Sequence, residues 1–170
     1  MTQSTKSSIL FKKRVVYTLG LWQLFFCINV FSEDLMASEF SQVESVAIRS
    51  MLDPNAVLIT EVDIIFLYDS RLVNELPVNK RDWYSNKRRF TSQYKDVLDV
   101  VNIFIPQGFD SVKAILPGRK EKAVKAFVFA YHDDSKASPV DITNIANVKI
   151  EVDQFGIRVL DESLINSKTQ

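Results

Sequence analysis

His132-Asp133-Asp134 sets the only histidine of this 170-residue chain beside two carboxylates. An imidazole next to carboxylates can act as a general base or join a metal site. Metal centres usually take more than one imidazole or a thiolate, and the chain holds one histidine and one cysteine. The three residues follow an apolar run and open a polar one, which reads as a solvated turn. Glu61 and Asp63 lie two apart and share a strand face, the spacing of a carboxylate pair. The same two residues read as charges that keep a sheet edge soluble. Pro117-Gly118 is followed by Arg119, Lys120 and Lys122, but no phosphate-loop pattern surrounds it. There is no nucleophile elbow and no Cys-His pair. The residues therefore point away from an enzyme, and no metal, cofactor or small-molecule substrate is expected.

Acidic and basic residues balance at 21 each. Lys6, Lys12, Lys13 and Arg14 all precede residue 15, so the remainder is mildly acidic. Nucleic-acid binding needs a basic surface and is not expected. With one cysteine no internal disulfide forms, and the fold must be held by its core. The length allows one domain plus extras.

The basic segment is followed by a mostly apolar one, Val15 to Val30, and then by Glu33 and Asp34. That is the layout of a secretory signal. Three fates stay open. Cleavage near Ser32 or Ala37 gives a soluble exported domain. Retention leaves a membrane anchor over residues 15–32, a little short of the ~20 residues that span a bilayer. Lipidation on Cys27 gives a lipid tether, although Phe25 and Phe26 stand where small residues are wanted; Cys27 also reads as a plain apolar leader residue. All three place the rest of a bacterial chain outside the cytoplasm. The expected division is a signal peptide or anchor over 1–32, a linker over 33–42, a folded domain over 43–162 and a flexible tail over 163–170.

The element that must organise any site runs from Thr60 to Asp69. Val62, Ile64 and Phe66 share one face with Thr60 and Tyr68, while the other carries Glu61 and Asp63, then Ile65 and Leu67. It reads as a strand lining a core with its back half-covered. Val43 to Met51 reads as a strand that Asp53-Pro54-Asn55 turns back into a hairpin with it. Arg81 to Asp96 reads as the one helix, with Asp82 at its positive end and Trp83, Phe90 and Tyr94 in one stripe that also holds Lys87. Val97 to Ile105, Ser111 to Leu116, Ala123 to Tyr131, Val148 to Val152 and Ile157 to Leu160 read as further strands. Arg119 to Lys122 reads as a polar hairpin tip. The expected fold is mainly β, an antiparallel two-sheet sandwich with one inserted helix.

From Val43 to Leu160 the order of motifs resembles the TssJ lipoprotein family of type VI secretion. A first strand ends in Leu52-Asp53-Pro54-Asn55, and the strand Val62 to Tyr68 follows. Next come a helical excursion with aromatics, Trp83 to Tyr94, a Leu-Pro-Gly turn at 116–118, and Ala-Phe-Val-Phe-Ala-Tyr at 126–131. The resemblance implies a transthyretin-like sandwich with an added helix. It implies a lipid tether to the outer membrane, which here falls on Cys27. It also implies binding to the periplasmic part of the inner-membrane protein TssM within a membrane complex. The family's partner-binding loop corresponds to Asp53, Pro54, Asn55 and Ala56, which is short here.

Two surfaces are thus candidates for partner contact. One is the Asp53–Ala56 turn. The other is the basic helix with Arg81, Arg88 and Arg89, which reads either as a docking face for an acidic partner or as a solvated helix back. The competing function is a periplasmic sandwich that recognises another envelope protein, a peptide or a glycan.

Overall fold

The strand from Thr60 is apolar on one face and becomes apolar on the other, so it needs cover on both sides. The computed structural model describes residues 39–53, 55 and 59–166 (backbone only at 165 and 166), all within the unit Ser38–Gln170. The strands are β1 (Ser45–Ser50), β2 (Thr60–Leu67), β3 (Leu98–Ile105), β4 (Ser111–Lys113), β5 (Lys125–Ala130), β6 (Val140–Asp141), β7 (Asn147–Val152) and β8 (Ile157–Asp161). The helices are α1 (Ser70–Val73), α2 (Lys80–Gln93) and α3 (Glu162–Asn166). One sheet has the order β4-β1-β7-β8 and the other β3-β2-β5-β6.

Between the sheets lies a core of Val46 and Ile48 from β1, Val62, Ile64 and Phe66 from β2, Val128 from β5, and Val148, Ile150 and Val152 from β7. A second core lies on the outer face of the β2 sheet. Ile65, Leu67, Leu98, Phe127 and Phe129 meet Leu72, Leu76 and Trp83 there. Trp83 stacks on Phe129 with ring centroids 5.4 Å apart and planes 5° from parallel. The described unit is therefore a two-sheet sandwich with a helical layer on one side.

The N-termini of α1 and α2 are held locally. Asn79, not Asp82, caps α2: its side-chain oxygen accepts from the Asp82 N–H at 2.9 Å, and Asp82 adds an acidic first turn. Asp69 caps α1 by accepting from the Arg71 N–H at 2.9 Å.

Several connections differ from the sequence reading. β1 and β2 do not form a hairpin. β2 is already flanked by β3 and β5, with eight and six residue pairs, so β1 crosses into the other sheet. There it pairs with β4 antiparallel and with β7 in parallel, Ser45 opposite Asn147 through Ser50 opposite Val152. That sheet is therefore mixed, while the β2 sheet is antiparallel throughout. Residues 119–122 are not a hairpin tip, because β4 and β5 lie in different sheets. Arg119 instead grips Asp99 at 2.8 and 3.0 Å, its guanidinium 4.1 Å from the Tyr68 ring centre. The Arg119 hydrogen bonds hold the Asp99 carboxyl below the usual carboxylate range. Where a tail was expected from Ser163, α3 runs from Glu162 to Asn166.

Candidate protein-interaction site

Glu61 and Asp63 are the first place where sequence and structure part. They do not line a solvated sheet edge. β2 is a central strand, α2 lies across it, and Asp63 is 0% exposed. Its Oδ2 accepts from Trp83 Nε1 at 2.8 Å, and its Oδ1 from Lys87 Nζ and Asn102 Nδ2, each at 2.7 Å. Glu61 accepts from the same lysine at 3.3 Å and the same asparagine at 2.9 Å. Every strong acceptor here has a donor, as burial of charge demands. The cluster pins α2 to β2 and β3 and leaves no group poised for a substrate.

His132 also changes role. It is half-buried and ties the two sheets together at one end. Its Nδ1 lies 2.9 Å from the Thr60 hydroxyl at the start of β2, and its Nε2 lies 3.0 Å from the Asp153 and Gly156 carbonyls after β7. Two carbonyls can only accept, so Nε2 carries the proton, and Nδ1 accepts from Thr60 in the neutral ring. Asp133 reinforces the tie: its Oδ1 accepts from the Ile157 N–H at 2.9 Å. Burial pushes the Asp133 carboxyl above its ordinary value, against that hydrogen bond. Gly156 sits at φ +155°, and a Cβ there would stand 2.2 Å from Asp133 Oδ1. Only glycine fits. The sequence signal for this clasp was one glycine in the Asp153–Gly156 turn, 24 residues from its partners.

This clasped end carries the first candidate surface. Asp53 and Asn55 are exposed there, and the Asp53 carboxylate accepts from the Asn55 N–H at 2.7 Å in an Asx turn. Pro54 and Ala56 lie outside the described residues, as does Cys27. The Met51 N–H donates to the Val152 carbonyl at 2.8 Å, and the Ser50 N–H to Asp110 at 2.7 Å. The segment therefore leaves the sandwich beside the β7–β8 turn, whose Phe155 is 81% exposed. Met51 and Ile59 are exposed on either side of the turn.

The basic helix divides. Lys87 turns inward to Asp63. Arg81 lines a shallow cleft of about 360 Å³ with Lys80, Tyr84, Ser85, Tyr131 and Ser135. Arg88 and Arg89 line a separate depression further along α2 with Ser85, Ser92 and Gln93. The three arginines named from sequence thus do not converge. Among the described residues, no His, Cys, Asp or Glu group is arranged to hold a metal ion, and no helix is long and apolar enough to cross a membrane.

No protein-family model matches the chain, and no curated protein matches it significantly. Solved structures do. The type VI secretion lipoprotein TssJ1 from Pseudomonas aeruginosa is similar at a TM-score of 0.47 and 13% identity, over 69% of this chain and 95% of that one. Lip of Serratia marcescens, a membrane-bound component of the type VI secretion system, is similar at 0.44 and 13%, over 71% and 99%. A chain in a structure of the TssM C-terminal domain from EAEC is similar at 0.45 and 16%, over 69% and 96%. All three similarities stand at TM-scores below 0.5 and identities of 16% or less.

Proposed function

We propose that this domain is a non-catalytic envelope component of the TssJ type. It binds the periplasmic part of a TssM-like inner-membrane protein and helps anchor a type VI membrane complex. The observation that carries the reading is the placement of the motifs. The β1 strand that leads into Leu52, the β2 strand, the Trp83–Tyr94 excursion, the Leu116–Gly118 turn and the β5 strand fall in that order on one sandwich. Its polar interior groups are satisfied by structure, so function falls to a surface.

In this reading residues 1–32 export the chain and Cys27 tethers it, residues 33–42 link it, and the end bearing Asp53 to Ala56 meets the partner. A turn contact is short-ranged and acts on dissociation, whereas a basic helix acts on association and fades with salt. The test is binding of the TssM-like periplasmic domain by Asn55→Arg and, separately, by Arg88→Glu with Arg89→Glu. Loss with Asn55→Arg alone supports the turn end. Loss with the charge reversal alone moves the site to α2. Binding by neither variant nor wild type ends the TssM reading, and a periplasmic module for another envelope protein, peptide or glycan takes its place.

A further inference from the structure

β3 is the longest edge strand in the molecule, and its register shows which backbone groups face out. Tyr68 N–H donates to the Val97 carbonyl at 3.0 Å, and Tyr68 and Val97 are opposite positions in the β2–β3 register. In an antiparallel ladder such pairs alternate. Asp99, Val101, Ile103 and Ile105 therefore spend their N–H and C=O groups on β2. On the other side of β2, Tyr131 N–H donates to the Glu61 carbonyl at 2.9 Å, the complementary alternation. Leu98, Val100, Asn102 and Phe104 point theirs away from the sheet, and no hydrogen bond among the described residues reaches these groups.

Arg119 covers the start of this edge, where it binds Asp99 and donates to the Asp96 carbonyl at 2.8 Å. From Val100 to Ile105 the edge carries no charge, no proline and no lysine. These are the devices that usually blunt an edge. The other edges are shorter: β4 has three residues, β6 two and β8 five, the last with Arg158 and Asp161. Beside the open stretch stand Phe104, 58% exposed, and Ile59, 61% exposed. Phe104 pairs with Glu61, so Ile59 lies diagonal to it on the same face.

We infer that β3 takes an extended segment of the partner as an added strand, paired through Val100, Asn102 and Phe104. This rests on the proposed TssM-type partner and adds where and how it is held. Outward N–H and C=O groups specify a strand, and Phe104 and Ile59 specify apolar side chains at alternate positions on it. Self-pairing of two copies through the same edge is the alternative that the experiment separates.

The experiment is amide hydrogen exchange on the chain, alone and with the purified periplasmic domain of the TssM-like protein. Alone, Val101 and Ile103 exchange slowly, while Val100, Asn102 and Phe104 exchange fast. In the complex these three become protected. Phe104→Pro removes one outward N–H and no ladder bond; it weakens binding by about tenfold more than Phe104→Ala. A complex that leaves the three amides fast overturns the inference and leaves the partner assignment standing. Absence of any complex overturns both. Protection of the three amides in the chain alone, rising with its concentration, assigns the edge to self-pairing and also overturns it.

Discussion

The two faces of β2 are held by different physics. Toward the other sheet, Val62, Ile64 and Phe66 pack into an apolar cluster. Toward α2, Ile65 and Leu67 do the same, but Asp63 sits among them fully buried, bonded to Trp83, Lys87 and Asn102. Apolar contact is non-directional and tolerates sliding; a charged hydrogen-bond cluster fixes one register. Within each sheet the ladders set the register of the strands. A helix lying on a sheet has no ladder, and here four polar side chains do that job.

The largest expected effect is on the apolar face. Phe66→Ala should lower stability by about 4 kcal/mol, through lost burial and a cavity. Chemical denaturation measures it, and a wild-type midpoint would mean the face is not core. On the polar face, Lys87→Met should cost about 3 kcal/mol, because it strips a buried carboxylate of its cation. The comparison sharpens in the double variant Asp63→Leu with Lys87→Met. It should be more stable than Lys87→Met alone, since no fully buried charge is left unpaired, while α2 loses its fixed seat and its amides exchange faster. A double variant less stable than the single would show that the cluster supplies net stability.

The clasp gives the smaller effects. Gly156→Ala should cost about 2 kcal/mol, from a strained backbone and the collision with Asp133. Asp133→Asn keeps an oxygen for the Ile157 N–H and removes the buried charge. The Asp133 pKa is raised in the fold by burial. Its contribution to stability is therefore complete below the unfolded value near ~4 and is lost as pH rises through the raised value. The variant should gain on wild type as pH rises above about 4. A difference that stays flat across that range would place Asp133 in water.

Strand parity made much of the fold legible. It assigned both faces of β2, and the stripe Trp83, Phe90, Tyr94 oriented α2. Period two says which way a side chain points and nothing of which strand lies alongside, so the partner of β1 was misread. The polar cluster left a trace: Lys87 follows Trp83 by four residues on the apolar stripe, and Asp63 interrupts an apolar strand. Each alone reads as a solvated charge; only the fold, bringing residues 24 apart together, makes them a pair. His132 left less, because its partners are a hydroxyl and two carbonyls that any sequence could supply. Of the partner surface, Asp53 and Asn55 were placed where the turn was expected, exposed at one end. Of the α2 arginines, Arg88 and Arg89 share one depression, while Arg81 lines another about two turns nearer the helix start.

The parallel pairing of β1 with β7 also sets an order of events. Ser45 meets Asn147 only after 102 residues of intervening chain, whereas β2, α2, β3 and β5 find their neighbours within residues 60 to 130. Distant contacts form slowly because loop closure precedes any return. As the chain emerges from the ribosome, β1 precedes both its partners, β4 and then β7, and its second edge stays open until β7 arrives. The sheet β4-β1-β7-β8 therefore closes last, and the half-folded chain is at its most adhesive just before it does.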